Sequence, residues 1–301
     1  MGQINHVDVV TINRPNVQIS ETIRIIDHRK QREVRWITDV GELSEIWIDN
    51  WCVKHLLNKP DDYRIMLRAL EGETYKPFFQ GYNDSEAELG ERGITLGHFG
   101  WYPLRRTSVM DLQAEWAGIE SVAIHLADEL PELMALLELM DALMLDKCRA
   151  VAEGPAVYIK LWENLSIETI GVQQFRGRIV PQYRKMIEIL RSHGKRLIVH
   201  ADGKLRPIMD DLAALDLDID SFSEPPEGDM SIAEARAKWP NKFLWLTPPQ
   251  GLYVRDENSL KDRVQRMTAA ASSRQFCFLI SEGIPPGRDE AIAGVLSALK
   301  P

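Results

Sequence analysis

His200 and Asp202 stand two residues apart in the stretch VHADGKL, at the point where an apolar run stops. An imidazole and a carboxylate at that spacing can share a divalent cation, zinc above all, with further ligands brought from elsewhere in the chain. They can equally close a strand by a histidine hydrogen bond while the aspartate caps the helix that starts near Lys204. The local pattern leaves both open. Other apolar runs also end on residues with chemistry: His98 with FGWYPLRR behind it, His125 and Asp128, Trp162 and Glu163, Ser223 and Glu224, Thr247 with PPQG, and Ser281 with Glu282. Of these, His125 and Asp128 read better as the approach to a helix beginning near Pro131. If His200, Asp202, Glu224, Glu282 and Glu163 project towards one mouth, their charges repel and desolvate one another unless a cation or a bound proton compensates. A metal is the simplest remedy.

The elements that must gather these residues are legible from about Ala156 onward. Short apolar runs (AVYIKLW at 156–162, RLIVHA at 196–201, LDIDSFS at 217–223, KFLWLT at 242–247, QFCFLIS at 275–281) alternate with stretches of helical period. Strand then helix, repeated, predicts parallel strands with crossover helices. ITLGHFG (94–100) and SVAIHL (121–126) predict two more strands, with a long helix after the second. The first 90 residues are irregular: EVRWITD and SEIWIDNW suit strands, DDYRIMLRALEGE suits a helix, and the region can supply an eighth strand or a small cap over a barrel mouth. The expectation is an α/β fold, a TIM (β/α)8 barrel with an irregular N-terminal segment, in one domain spanning 1–301; a doubly wound sheet comes second. No GxGxxG follows a strand and no P-loop occurs. In a TIM barrel the active site forms at the C-terminal ends of the strands, which is what selects the residues above.

Bulk properties narrow the function. The chain has 301 residues and a formal net charge of -9, with no stripe of Lys and Arg interleaved with aromatics, so a nucleic-acid partner is not expected. No apolar run approaches the roughly 20 residues that span a bilayer, and MGQINHVDVV lacks a secretory pattern, so no membrane association and a cytoplasmic location are expected. Three scattered cysteines without CxxC spacing indicate neither a disulfide framework nor a thiolate zinc knuckle.

The second half, in the order LWENLSI, FRGRIVPQYRKMIEILRSHGKRLIVHADGKL, DIDSFSEPPEGDMSIAEAR and FCFLISEGIPPG, resembles the uroporphyrinogen decarboxylase superfamily over about Gly118 to the end. That superfamily has a TIM-barrel fold and includes zinc methyltransferases that work with methyl-corrinoid proteins. Its decarboxylases carry an N-terminal signature of the kind RQAGRY that grips substrate carboxylates, and nothing here matches it. Its thiol-methylating members carry His-x-Cys and a distant Cys as zinc ligands. Here His200 matches the histidine, Asp202 takes the first cysteine's place, and Ser281-Glu282 the second's. The resemblance therefore implies a zinc site of His200, Asp202 and Glu282, with Glu163 or Glu224 orienting substrate or supplying a proton, and with His98, Trp101, Tyr102 and Trp162 walling the substrate pocket. Oxygen and imidazole ligands leave zinc more electrophilic than thiolates do, which suits an oxygen leaving group. The implied activity is transfer of a methyl group from a small methylated substrate, a methyl ether, to the cobalt of a corrinoid protein. That cofactor comes with a partner, because Asp-x-His-x-x-Gly is absent from this chain. Alternatives are a metal-free decarboxylase or lyase, a thiol methyltransferase of coenzyme M type, and a non-catalytic tetrapyrrole-binding barrel; a homodimer is compatible with each.

Overall fold

Alternating aliphatic residues after Ala156 fold as strands whose outward side chains are fully buried: Ile159 and Leu161, Leu197 and Val199, Ile219, Leu244 and Leu246 are at most 1% exposed. The intervening positions face the other side of the sheet. In the computed structural model, which describes residues 2–100, 104–271, 275–280, 284, 286–288 and 290–299, the chain divides into two compact units. Trp101, Tyr102 and Glu282 of the sequence-derived site lie outside the described residues.

The first unit comprises Met1–Asn5, Glu86–Leu96 and Val157–Pro301. Its sheet runs in the order Gln3–Asp8, Gly93–His98, Tyr158–Leu161, Arg196–His200, Leu217–Ser223, Leu244–Thr247, Phe276–Phe278; the first two strands only begin in this unit. From Tyr158–Leu161 onward each neighbour pairs in parallel, with His200 opposite Asp220 and Val199 opposite Leu161. Parallel neighbours require crossovers. Those here are helical: Ile167–Gln174 and Val180–Ser192, then Met209–Ala213, Ile232–Lys238 and Glu257–Ala271. Val180–Ser192 buries Val180, Tyr183, Met186 and Leu190, a stripe at helical spacing with Pro181 in its first turn. Ile232–Lys238 opens on a capping box in which Glu234 N–H donates to Ser231 Oγ and Ser231 N–H to Glu234 Oε2.

The second unit comprises His6–Ser85 and Gly97–Ala156. EVRWITD and SEIWIDNW do form strands, within Arg29–Thr38 and Gly41–Ile48. They pair antiparallel in a four-stranded meander with Gln18–Ile26 and Trp51–Lys54, apart from the parallel sheet. Trp36 and Trp116 meet edge to face, with centroids 6.2 Å apart, inside this unit. The helix Pro60–Leu70 and the long helix Pro131–Ala152 follow their sequence patterns.

Two expectations are corrected. SVAIHL is not a strand but part of the helix Ile119–Ala127. Its buried residues, Val122 and Leu126, are four apart, while Ile119 and Ile124 are about half exposed. A six-residue apolar run is too short to reveal that period. The helix begins after Gly118, whose φ of +80° and close approach to the His55 ring disfavour any side chain. Among the described residues the sheet therefore has seven strands, one of them from the N-terminal segment, and no eighth. Among them, too, no helix is long and apolar enough to cross a membrane.

Candidate functional site

Strand alternation sends Lys160, His200 and Asp220 to one side of the first unit's sheet, and the register sets His200 directly beside Asp220. After Asp220 the strand is irregular. Ser221 has φ +61°, and the register with Leu244–Thr247 shifts between Ile219 and Phe222, a bulge that ends regular pairing just beyond the carboxylate. Asp220 Oδ2 lies 2.6 Å from Lys160 Nζ and 3.0 Å from His200 Nδ1. Lys160 is 4% exposed and Asp220 1%. The ammonium also sits 3.8 Å from the centroid of the Trp162 ring, a cation–π contact in a nearly dry setting. The same indole is 6.1 Å from the His200 ring.

The turn after His200 is tied to the segment that follows Trp162. Leu165 N–H donates to His200 O, Gly203 N–H to Leu165 O, Ile167 N–H to Lys204 O and Lys204 N–H to Ser166 Oγ. Gly203 fits because its Cα side lies against Ser166, where a Cβ would come within 2.2 Å of Ser166 Cβ. This stitching fixes Asp202, whose Oδ2 lies 3.5 Å from His200 Nε2. Asp202 caps no helix. The next backbone donors, Leu205 N–H and Arg206 N–H, are met by Asp229 Oδ1 at 2.8 and 3.0 Å, a carboxylate from a later loop.

Electrostatics follow from these contacts. Burial raises the Asp220 carboxyl, but hydrogen bonding from His200 and the Lys160 charge outweigh it, and Asp220 titrates below the usual carboxylate range. Burial lowers His200, yet its bonds to Asp202 and Asp220 prevail and lift it above the usual imidazole value. Burial raises Asp202, but its bond to His200 holds it low. An ionised Asp220 makes Nδ1 a donor, so a neutral ring would turn the Nε2 lone pair on the Asp202 carboxylate. Positive charge belongs in that gap, as a proton or a metal ion.

The remaining sequence-derived residues distribute differently. Glu163 is fully buried beside Tyr183 on the covering helix; burial, then the charge and hydrogen bonding of Glu163, push the Tyr183 phenol well above its usual value. Glu224 is drawn into the scaffold, with Oε1 accepting from Ile232 N–H at 2.9 Å and Oε2 lying 3.0 Å from Arg263. Trp162 has its ring against Lys160, with the ammonium 3.8 Å from the ring centroid. His98 belongs to the second unit, fully buried, with Nδ1 accepting from Gly100 N–H at 3.1 Å and 3.2 Å from Asp8 Oδ1. Among the described residues no three His, Cys, Asp or Glu converge as a metal site; of the implied ligands, His200 and Asp202 come together. A cavity of about 350 Å³ in the first unit lies instead among Tyr158, Arg196, Asp218 and Phe243, at the strands' N-terminal ends.

Sequence reasoning missed Lys160 and Asp220 because it looked at strand ends. The signal was present as polar residues at alternate positions within apolar strands, Lys160 in YIKL and Asp218 and Asp220 in LDIDSFS.

Ionisable groups gathered towards the ends of parallel strands, with helical crossovers between, define an α/β protein of the kind that builds β/α-barrel enzymes. The family described as Uroporphyrinogen decarboxylase (URO-D) matches residues 117–298, and the chain belongs to it. Among solved structures, a methyltransferase from Methanosarcina mazei is similar, with a TM-score of 0.56 at 12% identity, covering 84% of this chain and 73% of that one. At such identity the likeness is one of fold. No curated protein sequence matches.

Proposed function

We propose that this chain is a methyltransferase of the uroporphyrinogen decarboxylase family that uses zinc held by His200, Asp202 and Glu282 and passes a methyl group from a small methyl ether to a corrinoid protein. The observation that carries the reading is the 3.5 Å separation of His200 Nε2 and Asp202 Oδ2. A tetrahedral zinc with nitrogen and oxygen bonds of about 2.0–2.2 Å holds such a pair about 3.4 Å apart. The donor set fits as far as it is described: an imidazole nitrogen and a carboxylate oxygen with open solvent on the Asp202 side, and a carboxylate behind the imidazole as metal-bound histidines commonly have. Zinc there supplies the Lewis acidity that an ether oxygen needs in order to depart. Asp220 holds the ring, Lys160 balances the Asp220 charge, and the half-exposed Asp202 marks the side from which substrate and the partner's corrinoid approach. The likeness of fold to a methyltransferase agrees with this reading.

One observation favours a second reading. The same 3.5 Å gap accommodates an imidazolium proton shared towards Asp202, which would suit metal-free acid chemistry such as a decarboxylation. Elemental analysis of the purified chain separates the two. About one zinc per chain, lost in His200→Ala and Asp202→Ala while circular dichroism stays native, with methylcobalamin formed from an aryl methyl ether and cob(I)alamin, is the expected result. No zinc and no methylcobalamin overturns the proposal.

A further inference from the structure

Lys160 and Asp220 lie behind His200, and their geometry has a consequence for its two nitrogens. Asp220 Oδ2 receives both Lys160 Nζ, at 2.6 Å, and His200 Nδ1, at 3.0 Å. Lysine has only donors, so whatever oxygen it touches must be an acceptor. Lys160 is itself held in place by the Trp162 ring at 3.8 Å and is almost wholly buried, so it has little freedom to seek water instead. We infer that Lys160 is a positioning residue: through Asp220 it keeps an acceptor on His200 Nδ1 and so leaves Nε2, the nitrogen facing Asp202, as the free lone pair.

The assignment decides what His200 can do. With the proton on Nδ1, Nε2 can bind a cation or accept a proton. With the proton on Nε2, the ring can only donate towards Asp202. The carboxylate of Asp202, 3.5 Å away, pulls the proton to Nε2, so a proton on Nδ1 must be enforced from behind. Asp220 is the nearer and drier of the two acids and wins that competition, and Lys160 pins the winning oxygen. The inference holds for the metal-free protein and does not rest on the zinc reading.

The test is carried out on the metal-free full chain by 15N correlation spectroscopy of the histidine rings, with His200 assigned from the loss of its signals in His200→Gln, at a pH where its shifts show a neutral ring. In Asp220→Asn the amide offers one acceptor, and Lys160 selects the carbonyl oxygen for the shared position. The proton should stay on Nδ1, as in the unaltered chain. In Lys160→Met combined with Asp220→Asn nothing selects that oxygen, the amide can turn its NH2 to Nδ1, and Asp202 draws the proton across. The Nε2–H population should rise at least tenfold over Asp220→Asn alone. The double variant removes both buried charges together, so no uncompensated ion threatens its folding. An Nε2–H ring in the unaltered chain, or equal tautomer populations in Asp220→Asn and the double variant, overturns the inference. A chain that binds no zinc but shows the tautomer shift would refute the metal reading alone.

Discussion

Gly203→Ala should be among the most damaging small substitutions near the site, and the structure gives its size. An added Cβ would lie 2.2 Å from Ser166 Cβ, 2.5 Å from its Oγ and 2.8 Å from its Cα, where ordinary contact begins near 3.4 Å. Relief needs more than 1 Å of separation, and since Ser166 Cα is backbone no side-chain rotation supplies it. The segments that must part are held by the bonds from Leu165, Gly203 and Ile167 N–H. Overpacking costs about 1–3 kcal/mol, and weakening one or two of those bonds adds about 1 kcal/mol, so the expected destabilisation is about 3 kcal/mol. Ser166→Gly alone forfeits the Lys204 N–H bond and some backbone rigidity, about 1 kcal/mol. In the double variant the contacts with Cβ and Oγ are gone and the 2.8 Å approach to the Cα of residue 166 remains, so the total should fall to about 2 kcal/mol, a coupling of about 2 kcal/mol in the rescuing direction. Urea unfolding of the four proteins, followed by circular dichroism, measures this cycle. A cost under about 1 kcal/mol for Gly203→Ala, or strictly additive singles, would refute the claim that close approach at this glycine fixes the Asp202 turn.

Other outcomes follow from the same contacts. Lys160→Met leaves Asp220 ionised in a dry setting and should cost about 3–5 kcal/mol, largely recovered on adding Asp220→Asn; urea midpoints that do not move would contradict the buried pairing. Lys242, whose Nζ donates to Leu215 O and Leu217 O, is pushed down to about 8 by burial. The unfolded lysine titrates at about 10.4, so between those values the unfolded chain binds more protons and stability rises with pH, by on the order of 3 kcal/mol; Lys242→Met should remove that slope in a pH series of unfolding curves. Glu224→Ala should destabilise by about 1–3 kcal/mol by stranding Arg263 and Ile232 N–H while leaving metal content unchanged, and a loss of metal in that variant would make Glu224 a further ligand.

Much of the scaffold can be read locally. Apolar runs bounded by helical stretches specify the parallel strands after Ala156, since period and length are properties of a few neighbouring residues. The candidate site was legible only in part. His200 and Asp202 share one turn, and their proximity follows from chain connectivity. Asp229 in place of Asp202 as the donor-satisfying carboxylate, and Glu224 as a partner of Arg263, depend on loops that meet across strands, which no local pattern encodes.

The sequence by itself determined the strand-helix alternation, the family likeness from Gly118 onward and the pairing of an imidazole with a carboxylate at VHADGKL, because each is written in adjacent residues. Tertiary structure alone decided that SVAIHL is helical, since burial of Val122 and Leu126 on one side outweighs a β-branched composition. It decided, too, that Lys160 and Asp220 stand behind His200. Register between separate strands brings Lys160 and His200 to within 3.0 Å of one oxygen of Asp220, and the low exposure of Lys160 and Asp220 makes that arrangement strong enough to hold the ring.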